Sequence, residues 1–127
     1  MEWGEPSAPP IVLLHGLAVQ AHTWDPIAAA LESEFHIICP DLRGHGDSDW
    51  SKAGYRLSAF VKDLEALVFE LGLESFSLVG HSLGVRIAMA YAAQRPALVQ
   101  RLVLSDAGAA VLLSGGTQVR DLLRASR

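Results

Sequence analysis

The chain is short of several things, and each shortage narrows the reading. One cysteine, Cys39, is present among 127 residues, so no internal disulfide can form. It sits in an apolar run and reads as a buried small hydrophobe, not a reactive thiol. Basic charge is scarce: ten Lys and Arg against fourteen Asp and Glu leave a net charge of -4. With the charges interspersed, nothing points to nucleic acid or to an anionic membrane surface. No apolar run reaches the length of a membrane span. Residues 1–10 have neither positive charge nor an apolar core, so they do not read as a signal peptide. These absences together point to a reducing cytoplasm. The last shortage is the most consequential. All five histidines, His15, His22, His36, His45 and His81, precede position 82, and none follows it.

What is present reads as one folded unit. Half of the residues are hydrophobic and 19% are charged, a globular balance. Apolar runs at Ile11–Leu14, Phe35–Cys39, Phe76–Val79 and Leu102–Ser105 predict four strands. They lack polar alternation, as parallel strands buried on both faces do. Between them lie helical patterns. Trp24, Ile27, Ala28 and Leu31 fall on one helix face, with Thr23 as the expected N-cap and Pro26 in the first turn. Leu57 to Leu71 is amphipathic and stops at Gly72. Leu83 to Ala93 is apolar nearly all round and stops at Arg95-Pro96. Strand and helix alternating at this spacing imply βαβ units, a mostly parallel sheet and a three-layer α/β/α domain. The domain is expected over residues 1–107. Residues 108–127 form a C-terminal tail with a weak amphipathic pattern at Val119, Leu122 and Leu123.

The chemistry concentrates at Gly80-His81-Ser82-Leu83-Gly84. A G-x-S-x-G match arises by chance in roughly one chain in twenty-five of this length, so context must carry it. Here an apolar run precedes it and an apolar helix follows, the setting of a nucleophile elbow. Such a turn holds the Ser82 hydroxyl at a strand tip beside a helix N-terminus that favours developing negative charge. The bland alternative is a tight turn with an incidental serine. His15-Gly16-Leu17 ends the first strand. The Leu17 and Leu83 N–H groups are the expected oxyanion donors. The stretch from Asp41 to Asp49 suits a side-chain-braced loop near the site. It matches no dinucleotide, phosphate-loop or metal-ligand spacing, so no cofactor and no metal are expected.

The His15-Gly16 pair, Asp41-Leu42-Arg43-Gly44-His45-Gly46-Asp47-Ser48 and the elbow occur in order and spacing that resemble the α/β-hydrolase fold superfamily, in its esterase, lipase and haloperoxidase-like group. The resemblance covers Glu2 to Asp106. It implies that the four strands are the family's strands 3 to 6 and that Met1–Trp3 is the tail of strand 2. Strands 1, 7 and 8 and the lid would be absent, and the 108–127 tail would be the start of the lid region. Epoxide hydrolases and haloalkane dehalogenases of this fold use an aspartate nucleophile, so a serine implies acyl chemistry on ester-like substrates through an acyl-enzyme. The family takes its base from a histidine after strand 8, which has no counterpart here. His15 is the candidate substitute base; its alternative is to brace the oxyanion loop. Asp106, after strand 6, is the candidate acid; its alternative is an ordinary loop aspartate. Strands 4 and 6 would become sheet edges, which predicts pairing with a second copy or with a complementing chain. The competing function is a non-catalytic binding or interaction module of the same fold.

Overall fold

All four apolar runs become strands in the computed structural model, which describes residues 1–16, 20–45, 56–106 and 109–114 (106 and 109–114 by backbone). In chain order the elements are β1 (Glu2–Trp3), β2 (Pro10–Leu14), a 3-10 turn (Ala21–Trp24), α1 (Asp25–Leu31), β3 (His36–Ile38), α2 (Leu57–Glu70), β4 (Phe76–His81), α3 (Leu83–Gln94), β5 (Val99–Asp106) and β6 (Ala109–Ser114). They build a six-stranded sheet ordered β1-β3-β2-β4-β5-β6. The four central strands are parallel. The two outer ones are antiparallel to their neighbours.

Alternate residues of the central strands feed two cores, one on each face. Val12, Leu14, Ile38, Phe76, Leu78, Leu102 and Leu104 face α2 and α3. Ile11, Leu13, Ile37 and Cys39 face Ala21, Trp24 and Ala28 of the 3-10 turn and α1. This two-sided burial is why the strands carry no polar alternation, and it makes the domain an α/β/α sandwich. A register shift at Phe76/Ser77 brings both Val99 and Leu102 of β5 onto the α2–α3 side.

Helix ends follow local chemistry in one case and tertiary chemistry in another. Gly72 takes φ +64° just past α2. Its N–H bonds the Phe69 carbonyl at 3.1 Å and the Leu73 N–H bonds Val68 at 3.1 Å, a Schellman motif that satisfies the last carbonyls. The expected Thr23 cap does not form. Thr23 lies inside the 3-10 turn, and α1 begins with no side-chain cap. The Asp41 carboxylate instead accepts the Ala21 N–H at 2.7 Å, supplying negative charge to this helical N-terminus from another loop. The buried stripe here is Ala21, Trp24 and Ala28, while Ile27 faces solvent.

The expected sheet edges need correction. β3 is covered by β1 through Glu2↔Ile38 and Trp3↔Ile37. β5 is covered by β6 from Arg101↔Ser114 to Asp106↔Ala109. The family's strands 4 and 6 are therefore interior, because short antiparallel segments before and after them take up their backbone groups. β1 is fastened further. Glu2 pairs with the buried His36 at 2.8 Å, and the Cys39 N–H donates to the Met1 carbonyl at 2.8 Å. Among the described residues no helix is long and apolar enough to cross a membrane.

Candidate active site

The elbow is formed by close packing that only glycine permits. β4 runs on to His81, so Ser82 is the first residue beyond the sheet and the N-cap of α3. Ser82 has φ 53° and ψ -113° and is the only described non-glycine residue with positive φ. Such backbone costs free energy and persists only where the surroundings over-determine it. A Cβ at Gly80 would collide with the Gly84 carbonyl and sit 2.8 Å from the Val85 nitrogen; one at Gly84 would meet the Leu14 carbonyl oxygen and stand 2.9 Å from Leu14 Cβ. The two glycines let α3 start directly against β2 and β4.

The oxyanion-loop candidate lies against the nucleophile. A Cβ on Gly16 would stand 3.0 Å from Ser82 Cβ, so the chain after β2 lies close against the serine. Leu83 opens α3, and the first N–H groups of a helix have no intrahelical acceptor. Leu17, the second expected donor, lies outside the described residues. Asp106 ends β5 next to the elbow strand, in the register His81↔Ser105; its side chain is likewise not described.

His15 sits at the site but spends both ring nitrogens elsewhere. It is fully buried. Its Nδ1 is 2.8 Å from the Gly16 carbonyl, and its Nε2 accepts the Leu42 N–H at 3.0 Å. A carbonyl only accepts, so Nδ1 carries the proton and the Nε2 lone pair is occupied. Burial, the largest influence, lowers its pKa, and the neighbouring His45 adds to the lowering. This geometry answers to bracing the loop and not to taking a proton from Ser82. It ties the Gly16 turn to the loop after β3.

That second loop is braced in its turn. Arg43 forms a two-pronged pair with Asp63 of α2 at 2.6 and 2.7 Å. The His45 Nδ1 lies 3.0 Å from the Arg43 carbonyl, and its ring stands 5.2 Å from that of His15. With Asp41 on Ala21, the described start of the Asp41–Asp49 stretch is structural support, as expected. Residues 46–49 lie outside the described residues. His22 pairs locally with Asp25. Among the described residues no histidine bonds Ser82.

Cys39 is fully buried and burial pushes its thiol up to about 11, which suits an inert core residue. Two clefts, of about 330 and 350 Å³, lie along α2, and Ser82 lines neither. Sequence reasoning missed the carbonyl of Ser105, which accepts the Ser82 N–H at 3.2 Å and the His81 ring at 3.0 Å. A main-chain oxygen leaves no residue-type signal.

Comparison with known proteins agrees with this architecture. A family model described as alpha/beta hydrolase fold matches residues 9–123. An uncharacterised protein of Mycobacterium tuberculosis is 43% identical over 102 residues, covering 80% of this chain and 30% of its own length. A soluble epoxide hydrolase of a Corynebacterium species is 36% identical over 97 residues, covering 76% of this chain and 34% of its own. Among solved structures, a thioesterase domain from the curacin biosynthetic pathway superposes with a TM-score of 0.77 at 32% identity, covering 81% of this chain and 39% of that one. The chain thus spans about a third of the length of the curated relatives it matches. An epoxide hydrolase and a thioesterase are both among these relatives, so family membership alone does not fix the reaction.

Proposed function

We propose, from the premise that this chain belongs to the α/β-hydrolase fold family, that it carries the nucleophile half of a serine hydrolase for ester-like or other acyl substrates. The observation behind this reading is Ser82 itself: a serine at φ 53° between two glycines that cannot accept a Cβ, at the start of α3. In the reaction Ser82 Oγ adds to the acyl carbonyl carbon and its proton passes to a base. The leaving group departs with the bonding electrons and takes up a proton. Water then hydrolyses the acyl-enzyme and frees the serine. The Leu83 and Leu17 N–H groups are the proposed oxyanion donors, and Asp106 the proposed acid. His15 is assigned to bracing. The base is proposed to come from outside residues 1–127, in a longer chain or a complementing one.

Activity does not have to vanish without the base. Enzymes stripped of a triad member keep about 10³–10⁴-fold catalysis over water from the oxyanion hole and binding. One observation favours a second reading, a non-catalytic module of this fold: among the described residues no histidine bonds Ser82, and the buried His15 spends both ring nitrogens elsewhere. A p-nitrophenyl ester separates the two. The hydrolase reading expects a burst of up to one equivalent of nitrophenolate and an acyl mass increment, both absent in Ser82→Ala. A folded chain with neither burst nor increment, even with imidazole supplied as the missing base, supports the module.

A further inference from the structure

One main-chain oxygen beside the nucleophile holds two donors. The Ser105 carbonyl, near the C-terminal end of β5, accepts the Ser82 N–H at 3.2 Å and faces the His81 Nδ1 at 3.0 Å. A carbonyl oxygen has two lone pairs and donates nothing, so Nδ1 carries a proton and both lone pairs are in use. The His81 ring has a second neighbour. A Cβ placed on Gly16 would lie 3.3 Å from His81 Cδ2, so the imidazole edge fills the space beside the oxyanion-loop candidate. The ring therefore sits among three segments at once: the Gly16 turn after β2, the elbow, and the end of β5.

We propose that His81 is a positioning residue for Ser82. Its Nδ1–H clamps the elbow to the Ser105 carbonyl, and its ring sets the spacing between the Gly16 turn and the serine. This rests on Ser82 being the nucleophile. The clamp acts where it is needed, since the strained turn at Ser82 must be held by contacts from outside itself. It also sorts the amides. The Ser82 N–H is spent on Ser105 and does not serve an oxyanion, which leaves that task to the Leu83 N–H. Because Asp106 follows Ser105 directly, the same clamp fixes the backbone of the candidate acid relative to the nucleophile.

The test needs no turnover. In the unmodified chain at alkaline pH, a long-range proton–nitrogen spectrum should show His81 protonated at Nδ1 and bare at Nε2; the reverse tautomer would overturn the clamp. Two variants then divide the ring's roles. His81→Phe keeps a ring and loses the donor, whereas His81→Asn keeps a donor near the Nδ1 position. Hydrogen exchange at the Ser82 amide should quicken about tenfold in His81→Phe and stay within about threefold of the parent in His81→Asn, the scale of one hydrogen bond. The Leu78 amide, inside β4, should be unchanged in both. Equal Ser82 exchange in parent and His81→Phe would overturn the proposal. Phosphonylation of Ser82 by a fluorophosphonate should slow in His81→Phe and recover in His81→Asn. A parent chain with the Nδ1 proton and a protected Ser82 amide that takes no fluorophosphonate even with imidazole supplied as base would sink the nucleophile reading, and the positioning role with it. An Nε2 proton would sink the clamp alone.

Discussion

Gly80→Ala tests the packing argument at the elbow without touching a reactive group. The added methyl would strike the Gly84 carbonyl and lie 2.5 Å from the Gly84 carbonyl carbon and 2.8 Å from the Val85 nitrogen. All three are backbone atoms in the first turn of α3, so no rotamer change relieves the clash. β4 and α3 must separate, and α3 carries Ile87, Ala88, Tyr91 and Ala92 into the core. Gly80 has no positive φ, so the cost is steric and not conformational. Overpacking typically costs about 1–3 kcal/mol, and a rigid backbone partner puts this case near about 3 kcal/mol. At about 4 °C per kcal/mol for a chain of this size, the melting temperature should fall by about 12 °C. Gly72→Ala supplies the contrast. No atom lies within 4 Å of its would-be Cβ, but φ is +64°, so its cost is the left-handed backbone alone, about 1–2 kcal/mol. Thermal melting followed by circular dichroism measures both. A Gly80→Ala chain that melts within about 3 °C of the parent would refute the close approach of β4 to α3.

Three further expectations concern the supports of the site. His15 is buried with its pKa below the ordinary 6.5, so the folded state favours the neutral ring; stability is present above that value and lost as pH falls through the lower folded pKa. Melting temperature should therefore drop on acidification from neutral pH, and less steeply in His15→Gln; equal slopes would remove His15 from the account. Asp41→Ala should cost about 1 kcal/mol by uncapping the Ala21 turn, read by urea unfolding, and an unchanged midpoint would count against the tertiary cap. Cys39, fully buried with its thiol raised to about 11, should resist iodoacetamide at pH 8 in the folded chain and react fully in denaturant; rapid alkylation of the native chain would contradict its place between β3 and α1.

The legible parts were those set by local chemistry. Gly80, Ser82 and Gly84 announce the elbow because the turn excludes a Cβ at fixed offsets. Gly72 announces the end of α2 because the Schellman motif needs positive φ. The βαβ order followed from apolar runs that are buried on both faces. What escaped was decided by partners distant in sequence. Thr23 caps nothing because a 3-10 turn begins at Ala21, ahead of it, and the Asp41 carboxylate from another loop accepts the Ala21 N–H. β4 and β5 run longer than their apolar cores because Gly80, His81 and Arg101 sit in strands held by ladder pairing rather than by hydrophobicity. The sheet edges were misplaced because the β5–β6 pairing has no signature in residues 109–114 beyond their apolar character. In sequence His15 reads as base or brace alike, because the group that occupies its lone pair is a main-chain N–H, that of Leu42, which leaves no residue-type signal.

The most direct test of the central claim is intact-mass analysis of the chain after exposure to a fluorophosphonate, beside Ser82→Ala. Ser82 Oγ would form the bond to phosphorus, fluoride would leave, and the hydroxyl proton would pass to a base or to solvent. The account predicts one adduct on the parent, mapped to the peptide holding Ser82, and none on Ser82→Ala. A folded parent that stays unlabelled even with imidazole supplied as the missing base, or an adduct that survives in Ser82→Ala, would contradict it.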